Sequence, residues 1–290
     1  MERPVENEPP LSVVIPCRDD RRVVACVESV DAPVEVLVVA NGSPPGFLDW
    51  IRPRLAGRGA RIEVLPEANL ALALEVGIRR AANSWVLLMD SDCVFEPGAI
   101  GAFRAALVPE EASRRVWKGE IEFEPGPGWI GGVIARARRQ HTSRPLSAFK
   151  PPLALSREVG AAIGGYFFDE RLRWKEDADL DCRIRRAGIE IVPVPGGRIR
   201  HAALTLRGDL RSSYRYGVGA ALADALGIEV TTPARSIAET WRREGGATAL
   251  YMGVANAVRR TGWVGTRLGL VLGLERIPAR RGPGPPPHRG

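Results

Sequence analysis

The sequence predicts an α/β protein with a mainly parallel central sheet flanked by helices, extended at its C-terminus by helices alone. Three observations predict it. Four short apolar runs rich in β-branched residues alternate with helical stretches through the first 90 residues. Strands and helices of such lengths in alternation form βαβ units, which build parallel sheets. Beyond about residue 205 the pattern turns helical.

Leu11 to Pro16 is a continuous apolar run closed by proline and reads as a buried strand. Val34 to Ala40 is a second strand, ended by the turn signal Asn41-Gly42-Ser43. Arg61 to Leu65 is a third, stopped by Pro66, and Trp85 to Met89 is a fourth. Helices are expected near 20–29, 46–56 and 70–83. Glu120 to Phe123 alternates like a strand, and Pro125-Gly126-Pro127-Gly128 is a loop. Asp177, Leu180, Ile184 and Ala187 recur at helical spacing, so 176–187 is a helix. Two short strands, 189–194 and 198–202, are expected after it.

The chain has 290 residues, enough for one large core with a small appendage. The expected organisation is a catalytic domain over 1–204, a helical extension over 205–278 and a disordered Pro/Gly-rich tail over 279–290. Four scattered cysteines form no CxxC pair, which argues against a zinc site or disulfide framework and for reduced, buried thiols in a cytoplasmic protein. Residues 1–204 balance 28 basic against 28 acidic side chains, whereas 205–290 carry 13 against 6. The net charge of +7 is thus concentrated in the extension. It suggests an anionic surface, such as the inner face of a membrane, met peripherally. Arginines interrupt 246–274, so no spanning helix is expected there; an interfacial helix and a helix packed on the body remain alternatives.

In parallel sheets, ligands bind beyond the carboxyl ends of the strands. Three segments of interest lie there, after Pro16, Ala40 and Met89. The last is Asp90-Ser91-Asp92, two carboxylates sharing one face of an extended segment. Such a pair calls for a cation, and hard oxygen donors suit Mg²⁺ or Mn²⁺ completed by phosphate oxygens. Glu176 and Asp177 open a helix, where they either cap it or hold a general base at the mouth of a site. His201, after a short strand, is either structural or a third metal ligand. No GxGxxG follows the first strand, which argues against NAD, and no aromatic-rich strand supports nucleic-acid binding despite pI ≈ 9.7.

In this order the pieces resemble family 2 glycosyltransferases of the GT-A (nucleotide-diphospho-sugar transferase) fold. The resemblance runs from Leu11 to His201. Ser12 to Pro16 and Val38 to Ser43 match the opening strands, and Asp90-Ser91-Asp92 the DxD. The segment Ile163 to Glu170, followed by Glu176 to Leu180 and Arg183, matches the acceptor-side signature.

The resemblance implies an inverting transfer from a nucleotide-diphosphate sugar to an acceptor hydroxyl of a glycan, lipid-linked or peptide-derived molecule. Asp177 would be the base with Glu176 beside it. Asp92, Asp90 and His201 would meet the metal, and Pro16, Arg18, Asn41, Asp90, Gly164 and Gly165 the donor. Ala40 stands where the family usually has a base-recognising aspartate; Asn41 or Asp19 could compensate. Ala71 and Glu75 replace its usual glycine and asparagine. A dozen residues from Asp209 to Ala220 are similar to mycofactocin-type glycosyltransferases. The alternatives are a non-catalytic sugar-nucleotide binder and a nucleotidyltransferase, although Cys17-Arg18-Asp19-Asp20 lacks the glycines of a phosphate loop.

Overall fold

The computed structural model describes residues 9–142, 146–230 and 237–277. The expected tail over 279–290 lies outside them. Strands Leu11–Cys17 (β1), Glu35–Asn41 (β2), Arg61–Leu65 (β3) and Trp85–Leu88 (β4) are joined by helices Val23–Glu28 (α1), Pro45–Ala56 (α2) and Leu70–Arg80 (α3). Then come Cys93–Phe95 (β5), Ala99–Ala106 (α4), Arg115–Phe123 (β6), Gly128–Thr142 (α5), Leu153–Ser156 (β7) and Val159–Ala162 (α6). Glu176–Arg186 (α7) and Glu190–His201 (β8) complete the sheet region. Leu206–Ala225 (α8), Ile237–Glu244 (α9) and Gly246–Val271 (α10) follow.

One eight-stranded sheet runs in the order β3-β2-β1-β4-β7-β6-β8-β5. The β3, β2, β1 and β4 strands are mutually parallel, β7 is antiparallel to both its neighbours, and β5 is antiparallel to β8. Every residue of β1 is buried. Leu11, Val13 and Ile15 enter the core on one face and Val14 the core on the other. That explains why this strand reads as an unbroken apolar run.

The two strands expected at 189–194 and 198–202 are one strand, β8. It pairs in parallel with β6 on both sides of a register shift between Lys118 and Glu120. The interruption that the sequence suggests, Pro195-Gly196-Gly197, is the partner of this bulge. A Cβ on Gly119 would sit 2.0 Å from the Gly197 carbonyl oxygen, so the two backbones touch there. Helix α5 and strand β7, which no periodicity announced, fill the gap between β6 and α7.

The C-terminal helices pack closely. A Cβ on Gly217 of α8 would meet the Arg259 carbonyl of α10 at 1.9 Å, and one on Gly262 of α10 would meet the Tyr214 carbonyl at 2.2 Å. Asp209 of α8 is buried and accepts hydrogen bonds from the Arg138 guanidinium of α5 and the Tyr251 hydroxyl of α10. The helices are thus seated on the body through a satisfied buried acid. All four cysteines are free and buried. Among the described residues no helix is long and apolar enough to cross a membrane.

Candidate active site

The carboxyl ends of β1, β2 and β4 open into a cleft of about 810 Å³. Pro16, Arg18, Asn41, Asp90, Asp92, Glu176, Asp177 and His201 all line it. Acids 85 residues apart in the chain therefore face one cavity.

Asp92 and His201 meet on one side of it. Antiparallel pairing of β5 with β8 sets Cys93 opposite His201, which brings the imidazole to the turn after β4. Nδ1 of His201 lies 2.7 Å from the Ala202 carbonyl oxygen, an acceptor, so Nδ1 carries the proton in the neutral ring. Nε2 then presents its lone pair 3.3 Å from Asp92 Oδ2. Two electron-rich atoms this close require a cation or a proton between them. The imidazole is further fixed by stacking on Phe123, centroids 4.9 Å apart. Asp92, Cys93 and His201 offer three donor atoms within 4.8 Å of one another. Burial and the neighbouring Asp92 and Asp90 charges hold the Cys93 thiol well above its ordinary pKa. The oxygen and imidazole donors are therefore the fit for Mn²⁺ or Mg²⁺. Arg22 stands beside them, paired with Asp20 at 2.9 Å and 3.6 Å from Asp92 Oδ2.

Asp90 plays a different part from Asp92. Its Oδ1 lies 3.0 Å from the ammonium of Lys150, which is also 3.9 Å from Glu176 Oε1. Lys150 is buried, and although burial opposes its charge, the Asp90 and Glu176 carboxylates raise its pKa. Glu176 is buried too, and loss of hydration pushes its carboxyl up to about 7 against the pull of Lys150. Asp177 is raised in the same direction, first by desolvation. Behind them Lys118 donates to the Pro151 carbonyl at 2.8 Å, and burial lowers its pKa to about 7.

The turn that presents the acid pair is strained and clamped. Trp174 and Lys175 have φ of 69° and 86°, a region β-carbon-bearing residues avoid. A Cβ on Gly219 of α8 would sit 1.9 Å from the Trp174 carbonyl oxygen, so α8 presses directly on this turn. Below it, Glu75 of α3 accepts from the Phe167 and Phe168 amides at 2.8 and 3.0 Å. Arg183 of α7 donates to the Ile163 and Tyr166 carbonyls at 3.0 and 2.8 Å. Glu75, which departs from the resemblance, is thus a strut between α3 and the segment leading to the acids.

Gly164 and Gly165 do not line the cleft. Their φ of 100° and 82° make a tight turn whose Gly165 amide donates to the Gly160 carbonyl at 2.8 Å. Their placement makes them part of this understructure, one layer away from the cavity. Asn41 lines the cleft, but its side chain is committed. It donates to the Cys17 carbonyl at 3.3 Å and accepts from the Asn69 amide at 3.1 Å. Ala40 is fully buried in the sheet.

Sequence reasoning missed Lys150, Arg138, Trp174 and Tyr216, all of which line the cleft. Arg138 lies over the Tyr216 ring at 5.5 Å, and Trp174 meets that ring edge-on at 5.9 Å. The one signal in the sequence was the Tyr-Arg-Tyr-Gly-Val-Gly stretch, whose two glycines create the close contacts that bring Tyr216 in.

Residues 12–118 match the family model described as Glycosyl transferase family 2. This part of the chain belongs to glycosyl transferase family 2. Among curated proteins, the chain is similar to Uncharacterized protein y4gI of Sinorhizobium fredii (strain NBRC 101917 / NGR234), 28% identical over 240 residues. That match covers 71% of this chain and 26% of the relative, so the chain spans about a quarter of that protein's length. Its fold is similar to that of GalNAc-T7 crystallised with UDP, GalNAc and Mn²⁺, with a TM-score of 0.54 and 17% identity, over 70% of this chain and 45% of that one. It is also similar to residues 1–349 of TarS from S. aureus, with a TM-score of 0.53 and 13% identity, over 91% of this chain and 92% of that one. The fold of the chain is GT-A.

Proposed function

We propose that the chain is an inverting, divalent-metal-dependent glycosyltransferase that moves a sugar from a nucleotide diphosphate to an acceptor hydroxyl. The observation that carries this reading is the meeting of Asp92 and His201 with Asp177 around one cleft. A bound Mn²⁺ or Mg²⁺, held by Asp92 and His201 with Asp90 nearby, would neutralise charge developing on the leaving diphosphate. GalNAc-T7, whose structure holds UDP and Mn²⁺, is the likeness that supports this choice of donor and metal.

The protein's own groups divide the remaining work. Asp177 accepts the proton of the acceptor hydroxyl as its oxygen attacks the anomeric carbon. Its raised pKa suits a base working near neutral pH. Lys150 holds Asp90 and Glu176 in register and keeps the second carboxylate of the pair from repelling the first. The aromatic wall of Trp174 and Tyr216 excludes water beside the base. The test is a panel of nucleotide sugars with Mn²⁺, scored for nucleotide diphosphate release by the wild type and Asp177→Asn. Metal-dependent release that is nearly abolished in the variant is expected. Equal release by both proteins would remove Asp177 from the mechanism, and release without any sugar acceptor product would favour a hydrolase.

The C-terminal helices carry part of the excess positive charge, and their exposed side supports peripheral binding to an anionic membrane face. Leu250, Val254, Ala257, Val264, Leu268 and Val271 of α10 are exposed and recur along one side at steps compatible with a single helical face. Arg260 and Arg267 flank them, Trp241 and Trp263 are exposed nearby, and no acidic residue occurs from 245 to 274. A second copy docked there would set like charges together, whereas anionic headgroups complement them.

A further inference from the structure

Two arginines with no carboxylate partner, Arg18 and Arg215, line the cleft, and Arg211 stands beside Arg215. Arg18 follows β1, and Arg211 and Arg215 lie one turn apart on α8. They are close enough that Arg211 and Arg18 disfavour the charge on Arg215, after the larger effect of its partial burial. Among the described residues none of the three has an ion-pair partner, whereas Arg22 and Arg138, which line the same cavity, are each paired with an aspartate. Arg215 is held in place by the Trp174 ring, 5.0 Å from its guanidinium. Guanidinium groups gathered without a counter-ion at the wall of a cavity are a receptor for an anion, and their forked N–H groups suit phosphate.

The position decides which anion. The diphosphate side of the cleft is the Asp92–His201 pair, where Arg22 already stands. Arg215 packs instead on Trp174, two residues before Glu176, and so belongs to the side of the cleft that holds the base. We propose that Arg211 and Arg215, with Arg18 at their border, form a subsite for a phosphate group carried by the acceptor. The inference rests on the transferase reading and narrows it: the acceptor is a phosphorylated molecule, and its phosphate is bound apart from the donor's diphosphate. Ser212, which follows Arg211 in the chain and lines the cleft, supplies a hydroxyl to the same group.

Calorimetric titration of the full chain separates the two sources of phosphate. Nucleoside diphosphates are first titrated with Mn²⁺ to find one that saturates the donor site, and inorganic phosphate is then titrated into the saturated protein. Phosphate is expected to bind the saturated wild type, and to bind Arg211→Gln/Arg215→Gln at least about tenfold more weakly. The nucleoside diphosphate is expected to lose much less affinity in that variant. Loss of phosphate binding once nucleotide is present, or equal loss of both ligands in the variant, would assign the arginines to the donor and overturn the proposal. Equal phosphate binding by wild type and variant would overturn it as well. Failure of every nucleotide to bind would instead defeat the transferase reading, and phosphate titrated into the free protein would still read the arginine site. Arg211→Lys/Arg215→Lys, which keeps charge and helix propensity, guards against a folding defect. Partial recovery of phosphate binding is expected from it, and none would overturn the subsite.

Discussion

Lys150 Nζ lies 3.0 Å from Asp90 Oδ1, and this one contact ties the turn after β4 to the segment between α5 and β7. The same ammonium is 3.9 Å from Glu176 Oε1, so a single buried cation spans an acid of the turn after β4 and one of α7. Replacing it with Lys150→Met leaves those carboxylates without their counter-charge. Breaking a buried pair from one side costs roughly 3–5 kcal/mol. The expected outcome is a loss of that size at neutral pH in urea denaturation, with turnover lost as well. The deficit should shrink as the pH falls below about 7, where Glu176 takes up a proton. A variant as stable as wild type at pH 7 would show that Lys150 is not what neutralises the pair.

Glu176 gives a pH dependence of definite sign. Its carboxyl is pushed up to about 7 in the folded chain by burial, from an unfolded value of about 4.3. A raised folded pKa means the native state holds the proton that the unfolded chain has released. Stability from this group is therefore fully present below about pH 4.3 and lost as pH rises through 7, with a slope approaching 1.4 kcal/mol per pH unit between them. In metal-free protein, Glu176→Gln should flatten the fall in stability between pH 5 and 7. Parallel curves for the two proteins, followed by urea denaturation at each pH, would contradict the assignment. Turnover should also fall on the acid side, because Asp177, whose carboxyl burial raises above its ordinary value, must be ionised to accept a proton.

The metal side has its own test. Asp92→Asn removes the charge facing His201 Nε2 at 3.3 Å, and His201→Ala removes the imidazole that the Ala202 carbonyl orients. Each should weaken Mn²⁺ binding by at least about 10- to 100-fold, the range for loss of a partner that merely orients a ligand. Electron paramagnetic resonance of free Mn²⁺ reads this without any substrate. Asp90→Asn should have a smaller effect, since Asp90 is engaged by Lys150. An Asp90 variant that loses Mn²⁺ as completely as Asp92→Asn would make both acids ligands.

Much of this was legible in the sequence, for identifiable reasons. The β1, β2 and β4 strands are buried on both faces, so their residues form unbroken apolar runs, and Asp90 to Asp92 falls at the end of one of them. Helix α7 announced itself through Leu180 and Ile184, which are fully buried. What stayed hidden depends on long-range pairing. Nothing local in Phe149-Lys150-Pro151 reveals that its lysine reaches a carboxylate 60 residues earlier. His201 becomes a partner of Asp92 through the β5–β8 register alone. The break read between 194 and 198 was real as a bulge but not as a strand end, because β6 bulges with it at Gly119. Gly217 and Gly219 looked like motif residues; their role is to let backbone approach backbone.

That role of glycine makes a sharp prediction for the extension. Gly217→Ala would place a Cβ 1.9 Å from the Arg259 carbonyl oxygen, so α8 and α10 must separate. In an open helix position the same change would gain up to about 1 kcal/mol from helix propensity. Here overpacking should dominate, with a net loss of about 1–3 kcal/mol. Since Arg215 and Tyr216 adjoin Gly217 and line the cleft, ligand affinity should fall together with the melting temperature. Gly265→Ala, on the same α10 helix but with only the Tyr214 hydroxyl within 4 Å at 3.7 Å, is the control and should be neutral or stabilising. A Gly217→Ala variant that melts at or above wild type would mean that this crossing is looser than its geometry.

The same crossing dictates how membrane binding should be examined. Deleting 246–290 would remove α10, and with it the backing of α8 and the cleft, so loss of vesicle binding could follow from unfolding alone. Placing acids on the exposed side avoids this, because Leu250 and Leu268 are 71% and 55% exposed and their replacement leaves the buried face of α10 intact. Leu250→Glu/Leu268→Glu should keep the wild-type melting temperature within a few degrees. It should bind vesicles containing anionic lipid at least about tenfold more weakly, losing both apolar insertion and part of the attraction supplied by Arg260 and Arg267. Vesicles of neutral lipid should bind wild type poorly, and raising the salt to 0.5 M should weaken the anionic case, since surface charges more than a few ångströms apart are then screened. Equal partitioning of wild type and the double variant into anionic vesicles would show that this side of α10 faces something other than a membrane.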